Sequence, residues 1–277
     1  MRIHHLDCGT MHPLGGRLID GVGGPLRRAD MVCHCLLIEL DDRLVLVETG
    51  MGEQSVLRPR EWLGRRFIEL TRPVFDIEQT AVRQVEALGF RREDVRDIVL
   101  THLDLDHAGG LADFPHATVH IYAEELRAFE GAHTARERFR YRAVQFAHGP
   151  RWSAYTDLGA SWFGFDAVRE LSGLPPEILL VPLAGHTRGH AGVAVDTGDG
   201  WLLSAGDAYF HPGQLDPVRP RQPLGITLFE RRVQTLGGPR RENQQRLREL
   251  VRDHRSRVRI FSAHNAEELR AMQSVPA

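Results

Sequence analysis

The chain has 277 residues, 42% of them hydrophobic and 26% charged, with a net charge of -2; this is the balance of a folded globular protein and provides no overall basic field to draw in nucleic acid or an anionic membrane. All 35 basic residues are arginine, a usage that composition alone does not tie to phosphate recognition. No apolar run approaches the roughly 20 residues of a membrane span, and the start MRIHHLDCGT has no apolar stretch of signal-peptide length. The expectation is therefore a cytoplasmic protein that acts on a small molecule, with no nucleic-acid or membrane partner.

In chain order, short runs rich in Val, Ile and Leu predict strands over Met31 to Leu40, Leu44 to Glu48, Val95 to Thr101, Ala117 to Tyr122, Ile178 to Leu183, Ala191 to Asp196, Trp201 to Ala205 and Val258 to Ser262. Asp41-Asp42 between the first two reads as a hairpin turn, so the sheets should be partly antiparallel. Apolar residues at helical spacing predict helices over Ile77 to Leu88 and Arg240 to His254. The class is α/β. Cys8, Cys33 and Cys35 are an odd number without a CxxC pair and read as buried thiols.

No repeat or linker divides the chain, which predicts one domain over 1–277 with an aromatic-rich insert at about 129–165. That segment holds nine of the 20 aromatic residues, among them Phe129, Tyr141, Phe146, Trp152, Trp162 and Phe165. Three roles stay open for it: core, a subunit contact in a homodimer, or the apolar wall of a substrate pocket.

The chemistry concentrates where the strand ending in Leu100 runs into Thr101-His102-Leu103-Asp104-Leu105-Asp106-His107-Ala108-Gly109-Gly110. In extended chain, residues two apart face one side, so His102, Asp104 and Asp106 can converge while Leu103 and Leu105 turn to packing. Gly109-Gly110 then permits unusual backbone angles or a close approach. Ten other histidines, His133 and His211 among them, have no partner spacing of this quality.

This block resembles the HxHxDHxGG signature of the metallo-β-lactamase superfamily, with Asp104 where the second His usually stands. Further motifs follow in the family's order. Gly185-His186-Thr187-Arg188-Gly189-His190 is similar to GHTPGH, Ser204-Ala205-Gly206-Asp207 to the strand-then-GD element, and Ser262-Ala263-His264 to the closing SxH. The resemblance implies an αββα sandwich with the metal site at one edge. It also implies two divalent ions, zinc foremost, one held by His102, Asp104 and His186, the other by Asp106, His107 and His264, with Asp207 bridging and His190 behind the ligands. Such a pair supplies a hydroxide nucleophile near neutral pH and polarises a carbonyl.

Three departures refine the expectation. Asp104 replaces a neutral imidazole by an anion, so two divalent ions, three carboxylates and a hydroxide sum to zero charge, which favours harder ions such as iron or manganese beside zinc; Asp104 could instead accept a hydrogen bond behind the ligands. Glu48 stands for the Asp of the family's DTG and is expected to support the ligands. Tyr209 lies two residues after Asp207, whereas acyl-homoserine lactonases, which the chain otherwise resembles, carry their oxyanion tyrosine three residues after it. The expected activity is hydrolysis of a lactone or ester, with Asp106, Asp207 and Tyr209 catalytic. A glyoxalase II-like thioesterase or an iron-dependent oxygenase on the same fold are the alternatives.

Overall fold

The computed structural model describes residues 1–131, 134–156 and 159–274, without the side chains of Ala135, Arg136 and Phe139. His133 lies outside the described residues.

Two six-stranded sheets form the centre. In the first, β1 (Arg2–Asp7), β2 (His34–Glu39), β3 (Leu44–Val47), β4 (Val95–Val99), β5 (Thr118–Tyr122) and β6 (Arg151–Tyr155) lie side by side in chain order. The second is built from β7 (Ala160–Trp162), β8 (Phe165–Glu170), β9 (Ile178–Pro182), β10 (Ala191–Asp196), β11 (Trp201–Ser204) and β12 (Val258–Phe261), in the order β12-β11-β10-β9-β8-β7. The helices are α1 (Glu53–Leu57), α2 (Pro59–Trp62), α3 (Arg65–Thr71), α4 (Ala81–Ala87), α5 (Ala123–Gly131), α6 (Ala135–Arg140), α7 (Leu224–Val233), α8 (Gly237–His254) and α9 (Ala266–Gln273). No helix among the described residues is long and apolar enough to cross a membrane.

The near-continuous apolar runs of the sequence arise because strands of the first sheet are buried on both faces. Along β3, Leu44 and Leu46 pack outward with Ala81, Val82 and Val85 of α4, while Val45 and Val47 pack inward against Leu180, Val193, Val195 and Phe261 of the second sheet. The outer face of that second sheet, with Leu179, Val181 and Leu203, is covered by Leu247 and Leu250 of α8. Helix, sheet, sheet, helix is thus the αββα layering that the resemblance implied. Truncating a fully buried side chain such as Leu46 to Ala would cost about 2–5 kcal/mol.

The Asp41-Asp42 hairpin is present: β2 and β3 pair antiparallel with Glu39 opposite Leu44, and Leu40 N–H donates to Arg43 O. The expected helix over Ile77 to Leu88 is instead a 3-10 turn, Ile77–Gln79, followed by α4, because Thr80 is extended at φ -66, ψ 148. The strands β1, β6, β7 and β8 have no counterpart among the expected ones. Their sequences, such as RIHHLD and RWSAY, lack a Val/Ile/Leu run because they lie at or near sheet edges and are half exposed.

The aromatic segment contributes strands to both sheets, and its described aromatic side chains pack with the cores. Phe129, Tyr141, Phe146 and Trp152 pack with the first outer core, Tyr155 with the intersheet core, and Trp162 and Phe165 with the second outer core. Of the three roles left open by the sequence, these residues take the first.

Candidate metal centre

Strands β3, β4, β5 and β6 run parallel, as do β11 and β12, while β10 is antiparallel to both β9 and β11. Consequently β9, β11 and β12 all end at the same edge of their sheet. That edge meets the end of β4, where Ala191 N–H donates to Thr101 O across the two sheets at 2.9 Å. The loops leaving these four strands carry His102, Asp104, Asp106 and His107 after β4, His186 after β9, Asp207 after β11 and His264 after β12.

The structure brings these seven side chains together. His102, Asp104, His186 and Asp207 form one group whose donor atoms all lie within 4.8 Å of one another; His107, Asp207 and His264 form a second, and Asp106 with His264 and Cys33 a third that shares His264 with it. Asp207 lies between them. Its Oδ2 is 3.2 Å from His186 Nε2 and 3.8 Å from His102 Nε2, while its Oδ1 is 3.2 Å from His264 Nε2 and 3.4 Å from His107 Nε2. Asp104 Oδ2 completes the first side at 2.9 Å from His186 Nε2 and 3.4 Å from His102 Nε2, and Asp106 Oδ2 stands 3.6 Å from His264 Nε2 on the other.

Asp104 and Asp106 face different groups, contrary to the convergence expected of extended chain. Strand β4 ends at Val99, and a turn closes at Asp104, whose carbonyl accepts from the N–H groups of His107 and Ala108 at 3.0 and 2.9 Å. The turn rotates Asp106 away from Asp104 and toward His264. Gly109 serves by close approach: a Cβ there would come within 2.4 Å of Met51 O and 2.5 Å of Leu105 O. Gly206 sits at φ 52, where a Cβ would meet His190 Nε2 at 2.7 Å, so only glycine carries the chain into Asp207.

Buried partners fix the rings. His107 Nδ1–H donates to Glu48 Oε2 at 2.8 Å, His264 Nδ1–H to Val32 O at 2.7 Å, and His102 Nδ1 lies 2.8 Å from Thr101 Oγ1. Each leaves Nε2 facing the cluster. His190 Nδ1–H donates to Leu183 O and its Nε2 accepts from Asp207 N–H at 2.9 Å, so it holds the backbone of Asp207 and stays neutral, with burial lowering its pKa to about 3.

Electrostatically the cluster attracts positive charge. Burial pushes the Asp207 carboxyl up, yet His264, His107 and His186 hold it well below the usual carboxylate range. Burial likewise opposes ionisation of Asp104, which Arg140 and His102 nevertheless keep far below its ordinary value. His107 and His264 are pulled well above the ordinary imidazole value against their burial, Asp207 being the main cause in each. His102 Nε2, Asp104 Oδ1 and Asp207 Oδ1 are buried without a hydrogen-bond partner. An orphaned imidazole nitrogen and two orphaned carboxylate oxygens, converging in one pocket with further imidazoles, are the donor set that divalent ions such as zinc fit.

Tyr209 is not brought to the cluster. Its hydroxyl donates to Glu268 Oε1 at 2.8 Å and the residue is fully buried in the core under α8, so the expected oxyanion role is corrected. The other three tyrosine hydroxyls are engaged with Ala167 O (Tyr122), Glu125 (Tyr141) and His120 (Tyr155). Phe210, three residues after Asp207, takes the place beside the ligands. Its ring stacks on His264 with centroids 5.8 Å apart, lies 6.0 Å from His186 and touches Phe229 of α7 at 5.2 Å.

Two residues near the cluster had no signal in the sequence. Cys33, the residue before β2, is one of the three donors in the Asp106 and His264 group, and burial keeps it a thiol by raising its pKa. Arg140, at the end of α6, reaches Asp104 Oδ2 at 2.5 Å and His186 Nε2 at 2.8 Å. Neither stands within a motif, and only the fold carries them to the site.

The family model of the metallo-beta-lactamase superfamily matches residues 28–259. A Mycobacterium tuberculosis protein named "Probable metallo-hydrolase" is 44% identical over 269 residues, covering 96% of this chain and 81% of its own. Among solved structures, AiiA of Bacillus thuringiensis with N-decanoyl-L-homoserine bound at its active site superposes with a TM-score of 0.70 at 20% identity, covering 97% of this chain and 95% of that one. AidC, described as a dizinc quorum-quenching lactonase, gives a TM-score of 0.58 at 20% identity over 95% and 86% of the two chains.

Proposed function

This chain belongs to the metallo-beta-lactamase superfamily and is a metal-dependent hydrolase, and on that footing we propose that it uses two divalent ions to hydrolyse a small carbonyl substrate, a lactone or carboxylic ester. The observation that carries the reading is Asp207, whose two carboxylate oxygens each face a different pair of imidazoles. His102, Asp104 and His186 hold one ion (the Asp104 site), Asp106, His107 and His264 the other (the Asp106 site), and Asp207 serves both. The dizinc description of AidC supports this count.

When bound, such ions polarise the carbonyl and lower the pKa of water enough to make it a nucleophile at neutral pH. The chain's own residues do the rest. Glu48, Thr101 and Val32 O lock His107, His102 and His264 in the orientation that turns each Nε2 inward. Asp106, beside His264 at the edge of the cluster, would take the proton released by the attacking water and return it to the leaving alkoxide.

With every tyrosine hydroxyl engaged elsewhere, the chain contributes no phenol to the oxyanion. Phe210, beside the ligands, instead touches Phe229 of α7, which is 40% exposed, so an apolar contact joins the cluster to the surface. This favours a substrate with an apolar acyl group or ring, met by α7 and Phe210 and not by the aromatic segment 129–165. The test is elemental analysis of protein purified without added metal, with a screen of lactones, esters, thioesters and phosphodiesters. Close to two ions per chain and turnover of lactones or esters support the reading. Thioester turnover alone, or full activity without metal, overturns it.

A further inference from the structure

Arg140 ends a helix tied to the loop of His186. Thr134 caps α6, its Oγ1 accepting from Glu137 N–H at 3.1 Å and its own N–H donating to Glu137 Oε2 at 2.9 Å. The other oxygen, Glu137 Oε1, accepts from Arg188 Nε at 2.6 Å, and Arg188 lies two residues after His186. The guanidinium is therefore carried into the cluster on a braced element. It is only 8% exposed, its Nη2 donates to Val233 O, and its Nη1 contacts both Asp104 Oδ2 and His186 Nε2.

Arg140 Nη1 and Asp104 Oδ2 lie 2.8 and 2.9 Å from His186 Nε2; an arginine can only donate, so in the tautomer protonated at Nδ1 the Nε2 lone pair points at the guanidinium. That lone pair is also what a metal ion takes. Asp104 is under no such constraint, because Oδ1 is buried without a partner while Oδ2 holds the arginine. Arg140 and an ion can share Asp104 but not His186. The guanidinium also changes the charge balance: with it, two ions, three carboxylates and a hydroxide sum to plus one, the value an imidazole at position 104 would give without the arginine. No counterpart of this cation exists at the Asp106 site among the described ion pairs.

Resting on the two-ion reading above, we propose that Arg140 is an internal cation that competes with the ion of the Asp104 site. The ions then load in order: the Asp106 site fills first and tightly, and the Asp104 site fills second, only as Nη1 releases His186.

The experiment is calorimetric titration of the metal-stripped full chain with zinc in a competing chelator. Two resolved steps are expected, with His264→Ala abolishing the tighter and His186→Ala the weaker. Arg140→Gln should tighten the weaker step by about tenfold or more and leave the tighter one nearly unchanged. Arg127→Gln, which removes an exposed cation of α5 paired with Glu124, should leave both steps as they are. Two equal steps, the reverse assignment of steps to His186 and His264, or a weaker step that Arg140→Gln does not tighten would overturn the proposal. The assignment with the two histidine variants decides the order even if Arg140→Gln does not fold. Binding of a single ion overturns this inference and the two-ion reading together, whereas two ions without order overturn the inference alone.

Discussion

Glu48 and His107 form a buried pair at 2.8 Å, Oε2 accepting from Nδ1–H, while Glu48 Oε1 accepts from Thr101 N–H at 2.6 Å. One carboxylate thus ties the end of β3 to a ligand candidate and to the chain leaving β4. It does so from φ 65, a left-handed conformation that costs a non-glycine residue roughly 1–2 kcal/mol, so the site holds this strain to aim the side chain. Losing such a supporting contact typically costs about 10 to 100-fold in metal affinity or activity. Glu48→Ala should fall in that range, and Asp207→Ala, which removes an oxygen from each side of the cluster, should lose far more. Metal content and initial rates of the two variants side by side check this; equal losses at equal metal content would refute the assignment of Asp207 to both ions.

Metal removal should destabilise the fold. Three carboxylates and four imidazoles in one buried pocket repel and strand polar atoms unless cations join them. An ion present at about 100 times its dissociation constant adds roughly 2.7 kcal/mol, which in a chain of this size corresponds to a melting temperature higher by on the order of 5–10 °C. Thermal scans before and after chelation, followed by zinc addition, measure it. An unchanged midpoint in protein shown to have lost its metal would contradict the prediction.

Position 104 should be inseparable from position 140. Asp104→His alone places an imidazole against the Arg140 guanidinium where a buried ion pair stood, and removing one partner of such a pair costs about 3–5 kcal/mol. The variant should lose metal from the Asp104 site. Adding Arg140→Met removes the unpaired cation, and the double variant should regain close to two ions, now with a stronger preference for zinc over iron or manganese. Metal analysis of both variants decides; equal metal content in the single and double variants would show that the two positions are independent.

Tyr209→Phe should leave hydrolysis close to wild type and reduce stability by about 1–3 kcal/mol, because it deprives Glu268 of a buried donor. Glu268 also sets a pH dependence. Burial raises its pKa from 4.5 to about 7, so the folded state keeps this proton longer than the unfolded chain. Its contribution is fully present below pH 4.5, declines as pH rises toward 7 and is level above that. Glu268→Gln should flatten this part of the profile in chemical denaturation at several pH values; a variant that retains the same slope would place its origin elsewhere.

The seven ligand candidates were legible in the sequence because each follows a strand whose apolar run is visible and each sits in a short motif with fixed spacing. Layering was legible for a related reason: LVLV in β3 and ILLVP in β9 can only be buried on both faces. What the sequence alone left undetermined follows from contacts between residues far apart along the chain. The motif resemblance already allotted Asp104 and Asp106 to different ions, but the turn that separates them rests on hydrogen bonds no motif encodes, and the fate of Tyr209 depends on Glu268, fifty-nine residues on. Edge strands such as β1 and β6 carry too little apolar pattern to announce themselves. Arg140 is the clearest case: it is thirty-six residues from Asp104 and forty-six from His186, and only the tertiary structure, by bracing α6 against the His186 loop, decides that its charge enters the cluster.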